Sequence, residues 1–320
     1  MESVMPATVN RDKGYINLDE ILKLPPIKSF EELVETLKEN KKVTIKSISN
    51  HNNNKQLVFS FKYNNIEYFY KYDCPREPFK LSPYNELVAC EIADDLFIPH
   101  VNYDLATVCG FKGLISKDFR QDYVQYISGK EFLINNHPLG NENNIASLNN
   151  LEDIWLALEE HYDRKPEYQN IVSKVMQKIV NMFLFDILTG QVDRGDTNWW
   201  LIEYPNGLLD LQPLFDNVRI LILHHQLATE RYPSVSKILL TVNQDVGRYC
   251  EDNLEEFNQT LLNILWTISQ ENLQKVFIRI EEKTKYHMPN ELKQFYLKEF
   301  DSQLNFITDT YDNIMSSKHR

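Results

Sequence analysis

The stretch from Ile171 to Leu188 is apolar on several faces of a helical period and ends at Thr189-Gly190. A segment of this kind predicts a buried central helix around which the rest of the chain must be arranged. The chain turns polar immediately after it: Gln191-Val192-Asp193-Arg194-Gly195-Asp196-Thr197-Asn198. A loop leaving the end of a buried helix has a rigidly held backbone, which suits side chains that must be positioned for chemistry. Two apolar runs come next, Trp199-Trp200-Leu201-Ile202 and Leu208-Leu209-Asp210-Leu211. They predict a short hairpin that delivers the chain to Pro213-Leu214-Phe215-Asp216-Asn217.

An Asp, an Asn in the same loop and a second Asp beyond a hairpin form the polar kit of kinase-type phosphoryl transfer. One carboxylate orients the attacking hydroxyl, and the amide and the other carboxylate hold Mg²⁺ on the nucleotide phosphates. Asp193 is the candidate catalytic base. Asn198 and Asp216 are the candidate metal ligands, because hard Mg²⁺ takes oxygen donors. The pattern D-x-x-x-x-N recurs by chance, and the same residues also read as ordinary turn and loop positions. Their order relative to the flanking strands favours the chemical reading.

Upstream the periodicity differs. Residues 1 to 14 are polar and predict a frayed end. Ser29-Phe30-Glu31-Glu32 reads as a capping box, with Glu32 reaching back to the Ser29 amide, and opens a short helix ending near Lys41. Val43 to Ile48, Leu57 to Tyr63 and Ile66 to Tyr72 alternate as strands, the last two joined by an Asn64-Asn65 turn. Ser82-Pro83 opens a further helix. Val101 to Val108 and Gly113 to Ser116 read as a strand pair around Cys109-Gly110. Asn-rich 135 to 150 reads as a surface loop, and from Leu151 the chain is mostly helical.

Lys71 closes the strand Tyr68-Phe69-Tyr70-Lys71-Tyr72, where a lysine can pair with nucleotide phosphates if a carboxylate holds it. Glu86, one turn into the Ser82-capped helix, is that candidate; it also suits the helix dipole. Lys62 is the alternative to Lys71. With only nine glycines the chain has no G-x-G-x-x-G loop. Ser47-Ile48-Ser49-Asn50-His51-Asn52-Asn53-Asn54-Lys55 occupies the matching place, where Asn can supply some of glycine's conformations. His224-His225 has no partner at metal spacing, and Tyr232-Pro233-Ser234-Val235-Ser236-Lys237 lies where an activation segment would run.

A net charge of −12 on 320 residues argues against a general nucleic-acid or anionic-membrane surface. The four cysteines include no C-x-x-C pair and read as reduced thiols. No apolar signal region or membrane-length run is visible, so a cytoplasmic protein is expected, with export lacking a recognisable signal left open.

Several of these short motifs together resemble the HipA-like serine/threonine kinases, in particular their compact, cell-translocating kinase A type. The likeness spans roughly residues 43 to 220. Its pieces are Tyr70-Lys71-Tyr72, Asn85-Glu86-Leu87-Val88-Ala89, Gly113 to Phe119, Tyr126-Ile127-Ser128-Gly129-Lys130-Glu131, Gly190 to Arg194 with Asn198-Trp199, and Pro213 to Asn217. The resemblance implies Lys71 on the phosphates with Glu86 as its partner, and Lys117, Asp118 and Phe119 at the adenine. It also implies Asp193 as the catalytic residue and Asn198 with Asp216 on Mg²⁺. Ser47 and Ser49 only loosely match the family's phosphate-loop serine, and Gly195 stands where many relatives have His. The implied fold is α+β and two-lobed, protein-kinase-like. Residues 1–42 would form an N-terminal extension with a short helix, 43–119 a β-rich N-lobe and 120–320 a helical C-lobe.

The expected activity is ATP- and Mg²⁺-dependent phosphorylation of a protein hydroxyl, with a protein substrate and a possible antitoxin or regulatory partner, and no direct nucleic-acid or membrane contact. The alternatives are small-molecule phosphotransfer and a non-catalytic scaffold of kinase ancestry.

Overall fold

The computed structural model describes residues 10–12, 14–51, 54–74, 82–120, 122–143, 150–191, 194–217 and 270–318. Asp193, His224-His225 and the Tyr232 to Lys237 segment lie outside the described residues. The chain divides into two compact units. One combines Met1–Ile92, Val101–Arg120 and Gln274–Lys293; the other combines Ala93–His100, Gln121–Leu273 and Gln294–Arg320.

The first unit is built on one seven-stranded sheet. Its strands are β1 (Arg11–Asp12), β2 (Tyr15–Asn17), β3 (Val43–His51), β4 (Asn54–Tyr63), β5 (Ile66–Cys74), β6 (Tyr103–Val108) and β7 (Phe111–Lys117). Their spatial order is β1-β2-β6-β7-β5-β4-β3. Within this sheet only the β2–β6 pair is parallel. The N-terminal region therefore adds strands to the sheet from Arg11 onward, where the sequence predicts a frayed end. Asn64 and Asn65 take φ of 50° and 62°, the left-handed pair that a tight β4–β5 hairpin requires.

Strand alternation puts Leu57, Phe59, Phe61, Tyr68, Tyr70 and Ile115 on one face. They pack with Leu22 of α1 (Asp19–Leu22) and Phe30, Leu33, Val34 and Leu37 of α2 (Phe30–Glu39) in a single core. Ser29 caps α2 by accepting the Glu32 amide. Glu32 departs from the expected box: its carboxylate accepts the Lys28 amide at 2.9 Å. The expected Ser47 to Lys55 loop also differs: its described residues, 47–51 and 54–55, lie in the β3–β4 ladder, with Ser47 opposite Val58, Ser49 opposite Gln56 and His51 opposite Asn54.

α3 (Ser82–Asp95) is buried on several sides, with Leu87, Val88, Ala89, Cys90 and Ile92 each no more than 2% exposed.

The second unit is chiefly helical: α4 (Gly129–Asn136), α5 (Leu151–His161) and α6 (Gln169–Thr189), with a three-stranded sheet of β8 (Gln125–Ser128), β9 (Trp200–Glu203) and β10 (Leu209–Leu211). β9 and β10 form the expected hairpin. α6 is the expected central helix, burying Val172, Val175, Met176, Ile179, Met182, Phe183, Phe185 and Leu188. β8 and α4 are additional elements. Gly129 joins them because a Cβ there would stand 2.2 Å from the Trp199 ring. Two further helices close the chain, α7 (Gln270–Thr284) and α8 (Asn290–Lys318). Gln274–Lys293 clusters with the β-rich unit, although the sequence division counts it with the C-lobe. Among the described residues no helix is long and apolar enough to cross a membrane.

Candidate active site

In the helical unit, the loop after α6 and the segment after β10 are fastened together chiefly by Arg194, with Gln191 beside it. Arg194, 7% exposed, donates from Nε and Nη2 to the two carboxylate oxygens of Asp186, each at 2.9 Å. Asp186 lies in the last turn of α6, so the loop is pinned to the helix it leaves. Arg194 Nη1 donates at 3.0 Å to the carbonyls of both Asn198 and Phe215. Its Nη2 also donates to Asn217 Oδ1 at 2.6 Å. Gln191 adds a second tie, donating from Nε2 to the Asp216 carbonyl at 2.9 Å. The Asn198 amide turns back onto the Gly195 carbonyl at 2.9 Å.

The backbones of Asn198 and Asp216, remote in sequence, are thus brought to one corner. Asp216 takes φ of 57° there, a left-handed conformation that Asp tolerates better than most residues and that recurs at functional sites. Burial pushes the Asp186 carboxyl above its ordinary value, against the opposing charge and hydrogen bonds of Arg194.

In the β-rich unit, register fixes which side chains share a face. Ser47 pairs with Val58, Val58 with Lys71, Lys71 with Leu114, and Leu114 with Leu105. This row lies on the face opposite the α1–α2 core. Ser47 and Lys71 are two strands apart in it, roughly 10 Å at the usual strand spacing. Ser49 lies one pleat further along. Gly113 lets β7 close in beside Lys71, since a Cβ at 113 would stand 2.3 Å from the Lys71 carbonyl oxygen. Glu86 is fully buried on α3. The alternative, Lys62, is exposed on β4.

The Lys117 group is spread differently. Lys117 pairs with Tyr68, so its side chain falls on the face opposite Lys71. The Asp118 amide donates to the Glu67 carbonyl at 2.9 Å, and its carboxylate takes both Nε and Nη2 of Arg120. The Arg120 guanidinium lies 5.2 Å from the Phe69 ring centroid, and Phe69 shares the Lys71 face. Phe119 is half-buried. Burial alone would raise the Asp118 carboxyl, but the hydrogen bonds and charge of Arg120 outweigh it and hold the group below its ordinary value.

The structure therefore brings Asn198 and Asp216 together, and aligns Ser47, Ser49 and Lys71 on one sheet face. Asp193 lies outside the described residues, although its neighbours Gln191 and Arg194 are both tied to the 215–217 segment. The roles of Asp186, Arg194 and Gln191 are not evident from spacing. One signal for them exists: an acid in a largely apolar helix, with an arginine soon after it, points to a buried pair, because unpaired carboxylates are almost never fully buried.

No protein-family model matches the chain, and no curated protein matches it. Solved structures do. The Helicobacter pylori proinflammatory kinase CtkA superposes with a TM-score of 0.54 at 18% identity, over 82% of this chain and 95% of that one. HipA of Shewanella oneidensis MR-1, solved in a complex with HipB and operator DNA, gives a TM-score of 0.50 at 14% identity, over 90% of this chain and 72% of that one. The fold is the α+β kinase-like fold of these proteins.

Proposed function

We propose that the chain is an ATP- and Mg²⁺-dependent phosphotransferase that moves the γ-phosphate of ATP to a Ser or Thr hydroxyl of a protein, acting in the cytoplasm. The observation that carries this reading is Arg194 Nη1, which donates at 3.0 Å to the carbonyls of both Asn198 and Phe215. That one nitrogen ties the backbone of Asn198 to that of Phe215, the residue before Asp216, which supports reading the Asn198 amide and the Asp216 carboxylate as oxygen donors of the kind a hard cation takes.

In this reading Asn198 and Asp216 would hold Mg²⁺, which when bound neutralises charge on the phosphates. Lys71 binds phosphate oxygens, Glu86 orients Lys71, and Ser47 and Ser49 flank the phosphates from the same sheet face. Residues Lys117, Asp118 and Phe119 border the base. The acceptor oxygen attacks the γ-phosphorus, the bond from that phosphorus to the bridging oxygen breaks, ADP leaves, and the acceptor proton passes to Asp193. A protein acceptor is what the sequence resemblance to the HipA-like serine/threonine kinases implies. A regulatory protein partner is supported by the HipA structure, which contains HipB and operator DNA.

The test uses labelled ATP, Mg²⁺ and a generic protein acceptor. Asp193→Ala should lower transfer roughly 10²- to 10⁴-fold; equal labelling by variant and wild type overturns the assignment of the base. Asp216→Asn should weaken Mg²⁺-dependent nucleotide binding by calorimetry; unchanged affinity removes Asp216 from the metal. Rapid turnover with a small hydroxyl compound and no labelled protein would move the acceptor class. Absent nucleotide binding would leave a non-catalytic protein.

A further inference from the structure

Helix α3 carries two carboxylates inside the β-rich unit, Glu86 and Glu91, 0% and 1% exposed. Five residues at 3.6 per turn set them roughly 140° apart around the axis, so they leave the helix on different sides. Glu91 is met by a segment from far along the chain. Arg279 of α7 donates from Nε to Glu91 Oε2 at 2.8 Å and from Nη2 to the Glu91 carbonyl at 3.3 Å. Lys283, one turn on, brings Nζ to 3.8 Å from Glu91 Oε1.

The start of α3 is held by the same segment. The Tyr286 ring stacks on the Tyr84 ring with centroids 5.2 Å apart and meets Tyr15 edge-on at 6.0 Å. The Tyr15 and Tyr84 hydroxyls are hydrogen-bonded at 2.8 Å. Residues 279 to 286 therefore grip α3 at positions 84 and 91, on either side of Glu86.

Glu91 is buried but the Arg279 side chain is 35% exposed, and such a pair is a weak source of stability, because desolvation of the carboxylate and solvent screening of the guanidinium offset most of the attraction. The Arg279–Glu91 contact adds direction instead. Bonding to the carboxylate and the main-chain carbonyl of one residue fixes both the rotation and the axial position of α3.

We infer that Gln274–Lys293 is an intramolecular clasp that sets the rotation of α3, with Glu91, Arg279 and Tyr286 as positioning residues for Glu86, so that seating or releasing this segment sets the rate at the site. The consequence for rate rests on the phosphotransferase reading; the clasp itself rests on the contacts.

The experiment compares wild type, Arg279→Met, Arg279→Lys and Lys283→Met in the full chain. It tracks hydrogen exchange across α3 and ATP turnover with Mg²⁺. Arg279→Met should speed exchange of the α3 amides about tenfold, leave β4 and β5 unchanged, and lower kcat about tenfold with KM for ATP moving less than about twofold. Arg279→Lys, which keeps the cation but replaces the two-pronged fork with one nitrogen, should recover only a minor part of both effects. Lys283→Met, a milder change, should show them in reduced form, and it serves if Arg279→Met does not fold. Unchanged α3 exchange in both Met variants overturns the clasp. Faster α3 exchange with normal turnover overturns the positioning role. A wild type that turns over no ATP while its α3 still responds to Arg279→Met overturns the phosphotransferase reading and leaves the clasp standing.

Discussion

Two arginine–aspartate pairs among the described residues, Arg194–Asp186 and Arg120–Asp118, share the same bidentate chemistry in opposite surroundings. Arg194–Asp186 in the helical unit is 3% exposed on both side chains, whereas Arg120–Asp118 at the end of β7 is 48% and 15% exposed. The buried guanidinium also satisfies two carbonyls and an amide oxygen on separate segments. The exposed one reaches a carboxylate two residues away and lies over an aromatic ring. The first pair therefore joins pieces of chain that are remote in sequence, while the second adjusts a loop already fixed by the Asp118–Glu67 backbone bond. Identical chemistry makes architecture in one place and local tuning in the other, and burial decides which.

The largest effect that separates them comes from Arg194→Met. It strands the Asp186 carboxylate in a dry interior, at a cost of about 3–5 kcal/mol in urea denaturation. Adding Asp186→Leu should restore most of that stability, since two apolar side chains replace the pair, but the corner at Asn198 and Phe215 would lose its donor and nucleotide binding should stay weak. A loss below ~1 kcal/mol for Arg194→Met would place the buried pair in the surface class and erase the contrast.

The parts of this molecule differ in how legible they are in the sequence, because each leaves a different kind of signal. The strands from Val43 to Tyr72, the Asn64-Asn65 turn, the α6 helix and the Trp200–Leu211 hairpin are encoded locally, by alternation, turn residues and apolar periodicity. The Ser47 to Lys55 segment reads as a loop because polar Asn and Ser lower strand propensity, yet in Ser47–His51, at a sheet edge, the ladder with β4 overrides propensity. The β2 strand and the Glu91–Arg279 contact depend on partners far along the chain, and a short strand such as Tyr15–Asn17 has no period long enough to announce itself. In the candidate site, Asn198 and Asp216 are proposed from the order of their residue types along the chain, a signal that sequence carries directly. Arg194 stands in the same motif, and its pairing with Asp186 leaves a sequence signal, but its bonds to the Asn198 and Phe215 carbonyls leave none.

A smaller effect tests packing around the same corner. Gly129→Ala would drive a methyl into the Trp199 ring, with 2.2 Å to the nearest ring atom, and should cost about 1–3 kcal/mol through overpacking. Gly195→Ala meets nothing within 4 Å and should change stability by no more than about 0.5 kcal/mol. Thermal melts of both variants check the pair. Equal losses would mean that the Arg194 loop is as tightly packed at 195 as at 129.

The smallest effect belongs to the exposed pair and is best read by titration. Arg120→Met should cost under ~1 kcal/mol, near the limit of a denaturation measurement, yet it should move the Asp118 carboxyl clearly upward. In the native protein that group lies below its ordinary value because Arg120 outweighs burial; without the guanidinium, burial is left as the leading influence. A carboxyl lowered in the folded state contributes stability that is present above its unfolded pKa and is lost as pH falls through the folded one. Arg120→Met should therefore flatten the acid limb of the stability curve and leave neutral pH almost untouched. Asp186 has the opposite sign: its folded pKa is raised, so its contribution is full at low pH and declines as pH rises through the folded value. NMR titration of the two carboxylate resonances in wild type and Arg120→Met should show Asp118 moving up while Asp186 stays in place. If Asp118 does not move, the exposed pair is not an electrostatic contact in solution, and the two arginines differ in kind as well as in burial.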